Sequence, residues 1–270
     1  MESITRAWRL ATIAWSVILA DKELIFYPVL SGLTLILLFA VMIVPFYLVE
    51  QFGSTGLTML LGFIFYLCAH IIIHFFNSAL VSSALVRLKG GDPTLKTGFR
   101  IALRRFVLIL KWSLIAATVG MLLNFIKQRA GWMGSLFGGF LEIGWNIISY
   151  FVIPVMVVEG IQPMDAITRS KDLIKKTWGE QLTATFGFGM LSFLLAVPAI
   201  FIFLILIPFF STPMFPMLIM FAYLMGVMLV MTTMSGIFQA ALYLFAREGK
   251  ITGYFDESDI RDAFAPDQNR

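Results

Sequence analysis

Along this chain, charge-free blocks of apolar residues alternate with connections that carry nearly all of the basic residues. A helix needs about 20 apolar residues to cross about 30 Å of hydrocarbon. Six blocks meet that requirement: Ile25 to Val49, Thr55 to Val86, Phe106 to Ile126, Gly131 to Val158, and two within the uncharged stretch from Gln181 to Ala246. That last stretch has to fold back once. Ser211-Thr212-Pro213, followed by Pro216, is the expected turn, because proline lacks an amide donor and disfavours continuation of the preceding helix. Glu50-Gln51-Phe52-Gly53-Ser54 turns the chain between the first two blocks, Lys127 and Arg129 close the third, and Glu142 alone interrupts the fourth. Lys111, near the start of the third block, is expected to snorkel back to the headgroups on its flexible stem. Pro45, Pro154, Pro198 and Pro208 are expected to kink their spans. The fold class this pattern predicts is all-α: a polytopic membrane helical bundle of about six transmembrane helices.

The two long connections read alike. Gly90-Gly91-Asp92-Pro93 and Gly160-Ile161-Gln162-Pro163 each put a proline where a first helical turn needs no amide donor. The helix after Pro93 sets Leu95, Phe99, Ala102 and Phe106 on one face and Lys96, Arg100 and Arg104 on another, an arrangement suited to lying on a membrane. After Pro163, Ile167, Ile174 and Trp178 share a side, and the Asp165/Arg169 and Asp172/Lys176 pairs have the favourable acid-first spacing. Ile4, Trp8, Ala11, Trp15 and Leu19 supply a third such helix ahead of the first span. The predicted unit is an amphipathic helix plus two spans, repeated over about residues 1–88, 89–160 and 161–250. Two spans per unit keep every copy in one orientation, so the repeats are parallel rather than inverted. Residues 1–250 form a single transmembrane domain in this reading, and 251–270 a cytoplasmic tail.

Composition and charge narrow the class. Only 13% of residues are charged and 59% are hydrophobic, against about a quarter charged in a soluble domain. The net charge of +4 lies beside apolar blocks, which reads as a membrane-orientation signal and argues against nucleic acid as a partner. Basic residues gather in the N-terminal segment, after the second span, after the fourth and after the sixth, while the opposite side holds only Lys127 and Arg129. Positive loops stay inside, so both termini are expected in the cytoplasm. The single cysteine, Cys68, forms no intrachain disulfide. The first long apolar block begins too late for a cleavable signal peptide and is expected to stay in the mature protein.

Polar groups inside spans are costly and usually functional. His70, His74 and Asn77 fall on one face of the second block, with Ser78 beside them, and Glu142, Asn146 and Ser149 repeat that spacing in the fourth. Thr232, Thr233, Ser235 and Gln239 take a comparable place near the end of the sixth. His70, His74, Asn77, Glu142, Asn146, Ser149 and Gln239 are therefore the candidate intramembrane site, with His70 and Glu142 expected to meet. Three readings stay open: a polar clasp between helices, a proton- or ion-responsive path, and a metal site. The glutamate of a His-Glu-x-x-His motif is absent, as are nucleophile elbows and phosphate-binding glycine loops, so no catalytic residue, metal or cofactor is assigned. Lys96, Arg100, Arg104, Lys171 and Lys175 are the candidate lipid-headgroup contacts.

The opening Arg6-Ala7-Trp8-Arg9-Leu10, the approach from Asp21-Lys22-Glu23-Leu24 to Pro28, and Glu159-Gly160 through Trp178-Gly179-Glu180 resemble an uncharacterised prokaryotic multi-pass membrane-protein family over nearly the whole chain. More loosely, the repeated turn, amphipathic helix and hairpin resemble the membrane domain of some glycerophosphodiester phosphodiesterases. That likeness carries no catalytic residues, since the chemistry of those enzymes belongs to a separate soluble barrel. It implies a non-enzymatic module, and the likeness to a prokaryotic family implies the plasma membrane as its place. The polar interior, separately, is expected to bind or pass a small solute, ion or lipid. The alternative is a membrane scaffold that holds anionic lipid or a partner protein on its basic helices.

Overall fold

The computed structural model describes residues 12–129, 131–178, 187–209, 212 and 214–249. Every regular element among them is helical. Helix α1 covers 12–20. It is followed by α2 (Phe26–Gln51), α3 (Thr55–Leu88), α4 (Leu95–Arg104), α5 (Phe106–Arg129) and α6 (Gly131–Ser149), then α7 (Val152–Glu159), α8 (Pro163–Trp178), α9 (Gly187–Leu206) and α10 (Met214–Glu248). Ile4, Trp8 and Ala11 of the expected N-terminal helix, Ser211 and Pro213 of the expected turn, and the tail lie outside the described residues.

Among the described residues, five segments are long and apolar enough to cross a membrane: Lys22–Gln51, Thr55–Leu88, Phe106–Gln128, Phe137–Glu159 and Met214–Glu248. The apolar helix Leu195–Leu206 is shorter. Outward leucines, isoleucines and phenylalanines along these segments are the surface that lipid requires.

The fourth block is not one helix. Pro154 has no amide for the carbonyl four residues back, at Tyr150, and its ring crowds that carbonyl. The helix accordingly breaks there. Tyr150 N–H turns to the Ile147 carbonyl at 3.1 Å, and Ser170 Oγ, from α8, accepts the Phe151 N–H at 3.0 Å. Beyond the break, α7 is buried from Val152 to Val157 and ends at Gly160, whose φ of 71° suits a residue without a Cβ. Pro45 and Pro198, by contrast, lie inside α2 and α9 without ending them.

The helices fall into two compact units. One comprises Phe26–Ser83 and Pro93–Ile174. Here α4 begins at Thr94, which caps the Thr97 N–H, and packs its inner face through Gly98 and Ala102. Tyr27 Oη shares a hydrogen bond with Ser83 Oγ at 2.7 Å and donates to the Leu95 carbonyl at 3.2 Å. Phe99 meets Tyr27, Phe75 and Phe76 edge to ring or stacked. The apolar face expected to rest on a membrane is thus turned onto protein, because α2 and α3 offer it an aromatic seat. Helix α8 buries Pro163, Ala166, Ser170, Leu173 and Ile174 and exposes its charges.

The other unit comprises Met1–Ile25, Ala84–Asp92 and Lys175–Arg270. Its described core combines Ala14, Val17 and Leu24 with Ile237, Ala241, Leu242 and Tyr243 of α10, all fully buried. Arg87 Nη2 donates to the Ala20 carbonyl at 3.1 Å, and Lys89 pairs with Glu248 at 2.9 Å. Helices α9 and α10 pack on each other, with Tyr223 Oη donating to the Leu195 carbonyl at 2.9 Å.

Candidate functional site

The polar face of α3 meets α5. His74 Nδ1 is 3.1 Å from Ser113 Oγ, and two turns back along α3 the hydroxyl of Tyr66 fills the space over Gly120, where a Cβ would come within 2.8 Å of it. Eight residues back on α3 match seven residues on along α5, so the two helices run antiparallel in close contact. The rings form a ladder: Tyr66 to His70 at 4.2 Å, His70 to His74 at 5.7 Å, His74 to Trp112 at 5.9 Å, and Trp112 stacked on Trp145 of α6 at 5.7 Å.

Hydrogen-bond direction follows from the partners. Ser113 Oγ donates to the Ile109 carbonyl at 2.8 Å, its better-placed acceptor, which leaves His74 Nδ1–H as the donor to Ser113. The His70 Nδ1 lies 3.1 Å from the Tyr66 carbonyl, which can only accept, so that nitrogen also carries a proton. In the neutral form of either ring, the remaining nitrogen, Nε2, is an acceptor. Close by, Trp112 Nε1–H and Ser78 Oγ are buried without a hydrogen-bond partner. Asn77, half-buried on the same face, makes no side-chain bond to any described residue. The cluster therefore offers acceptors and donors together inside an apolar segment, a combination that suits a small molecule able to do both.

The α6 residues expected at the site, Glu142, Asn146 and Ser149, do not join it. Glu142 is paired with Lys127, not with His70. Gly138 explains the choice: with no Cβ, which would sit 2.6 Å from Lys127 Cγ, it lets the lysine stem lie along α6 and reach one turn further. The lysine ammonium then meets the carboxylate directly, an opposite charge in contact. Asn146 is exposed, and Ser149 Oγ donates to the Trp145 carbonyl of its own helix at 2.6 Å. Gln239 is half-buried on α10, in the other unit. Lys96, Arg100, Arg104, Lys171 and Lys175 are all exposed. Lys111 does reach back, donating to Gln162 Oε1 at 3.0 Å.

Tyr66, Trp112, Ser113 and Trp145 belong to the cluster but escape a search for polar residues at helical spacing. Tyr66 had a signal, since it stands four residues before His70 as His70 stands before His74. Trp112 and Ser113 had little, being uncharged residues in an apolar block. Among the described residues no third His, Cys, Asp or Glu approaches the two imidazoles as a metal site would need.

One family model, described as a family of unknown function (DUF6159), matches residues 56–254, a stretch that contains the whole cluster. No curated protein and no solved structure matches.

Proposed function

The chain belongs to DUF6159, a family of unknown function, and from its own geometry we propose a non-enzymatic multi-pass membrane protein that binds a small hydrogen-bonding solute between α3 and α5. One observation carries the reading: Trp112 Nε1 and Ser78 Oγ are buried and unpartnered beside the His74–Ser113 bond. A buried polar group without a partner costs about 1–3 kcal/mol. An occupant that satisfies both, and the imidazole Nε2 atoms with them, recovers much of that cost.

The proposal extends to topology. Taking α9 and α10 as two further spans gives six in a prokaryotic plasma membrane, with both termini in the cytoplasm, an orientation that the basic connections support. The order of one short helix and two long ones recurs as α1–α2–α3, α4–α5–α6/α7 and α8–α9–α10, in keeping with three parallel repeats.

The test compares wild-type protein with His74→Ala and Ser113→Ala, each purified full-length in lipid nanodiscs, by mass spectrometry of the small molecules released on heating. The expected result is a polar species enriched with wild type and lost from both variants. Identical sets of released molecules from all three proteins would count against solute binding and in favour of a packing clasp.

A further inference from the structure

The cations around the α4–α5 elbow divide into two groups. Those facing inward are held by protein: Arg105 Nε donates to the Val157 carbonyl at 3.4 Å with its guanidinium over Gly160, and Lys111 is bound to Gln162. Lys96, Arg100 and Arg104 point outward, and no hydrogen bond or ion pair joins them to any described residue. Helix α4 contains no acid, so it carries a net +3 over 10 residues, whereas α8 interleaves Asp165 and Asp172 with its cations for +2 over 16. Leu103, 62% exposed, stands beside Arg104, and Val107, 63% exposed, follows at the start of the membrane-length segment Phe106–Gln128.

The geometry points to α4 as a preformed site for one anionic phospholipid, with the phosphate on Arg100 and Arg104 and an acyl chain against Leu103 and Val107. Charge complementarity selects an anionic headgroup. The exposed leucine and valine next to the guanidiniums, one elbow away from a membrane-length helix, select a lipid over a free anion. The site is rigid because the opposite face of α4 is fixed on Tyr27 and Ser83 through Gly98. Arginine also suits phosphate through its planar fork of donors.

Native mass spectrometry of the full-length protein tests this, using equimolar dioleoyl phosphatidylglycerol and dioleoyl phosphatidylcholine as probes. Wild type is expected to retain the anionic lipid preferentially. Arg100→Gln with Arg104→Gln is expected to weaken that retention about 30-fold, from about 1 kcal/mol for each charge removed. Arg100→Lys with Arg104→Lys is expected to keep most of it, and Lys171→Gln with Lys175→Gln on α8 to leave it unchanged. Equal retention of the two lipids by wild type, as a protein-docking face would give, overturns the proposal. So does undiminished retention in the glutamine variant, or displacement of the lipid by millimolar inorganic phosphate.

Discussion

Gly98→Ala is the most exposing single change, because one added methyl group lands where three elements meet. Its Cβ would lie well inside contact distance of Tyr27 Oη, 2.5 Å from Ser83 Oγ and 2.7 Å from the Ala79 carbonyl oxygen. The tyrosine and serine can swing away, at the expense of the hydrogen bond they share, worth about 1 kcal/mol. The carbonyl belongs to the α3 backbone and cannot move alone. Overpacking of this kind costs about 1–3 kcal/mol, while alanine in place of glycine returns up to about 1 kcal/mol of helix propensity. The net expectation is a loss of about 1–3 kcal/mol, concentrated on the seating of α4. Thermal unfolding of the full-length protein in nanodiscs reads the loss, and amide hydrogen exchange locates it. Exchange over Leu95–Arg104 is expected to quicken, with α5 little changed. Tyr27→Phe added to Gly98→Ala is expected to recover part of the loss by removing the nearest collision. A Gly98→Ala protein as stable as wild type, with α4 equally protected, would refute the packing argument.

Removing Lys127 alone, as Lys127→Met, is expected to destabilise the protein more than Lys127→Met with Glu142→Gln, by about 1–3 kcal/mol, because a lone carboxylate in an apolar segment costs more than none; a double-mutant cycle on unfolding free energies checks it. Ser170→Ala is expected to cost about 1–2 kcal/mol by removing the acceptor of the Phe151 N–H, with faster amide exchange at the α6–α7 break as the readout. Asp21 is buried, which raises its carboxyl above the ordinary 3.8 despite the Glu23 amide and the Arg87 charge that lower it. A raised carboxyl favours folding in its protonated form, so its contribution is fully present below 3.8 and is lost as pH rises through the folded value. Asp21→Asn is expected to flatten that part of the stability–pH profile, and an unchanged slope would remove Asp21 as its source.

The long elements were legible because a charge-free block in hydrocarbon has few solutions. The expected blocks from Ile25, Thr55 and Phe106 correspond closely to α2, α3 and α5, ending within a few residues of them. The break at Tyr150 was only half legible. Pro154 announces a kink, but the stop and restart also use Ser170, nineteen residues on, and a proline alone does not reveal a distant acceptor. Periodicity likewise put Glu142 on a face without naming its neighbour, which depends on an absent Cβ at Gly138. The histidine stripe was visible as spacing. Its α5 wall was not, since Trp112 and Ser113 look like ordinary span residues until α3 lies against them. The basic stripe of α4 was plain in sequence, but the apolar face behind it was assigned to lipid when aromatic residues of α2 and α3 claim it.

The central claim is that the α3–α5 cluster admits a small polar molecule, and thiol accessibility measures that directly. Asn77→Cys and Ser113→Cys, made separately with Cys68 replaced by alanine, are exposed in native membranes to a small charged methanethiosulfonate, with outward-facing Leu114→Cys as the control. Reaction needs a thiolate and hence a polar path to the site. The account predicts that positions 77 and 113 are modified and 114 is not, and that Trp112→Ala changes the rate at 113. Unreactive cysteines at both 77 and 113, in proteins that still fold, would contradict it and leave the cluster as a sealed contact between helices.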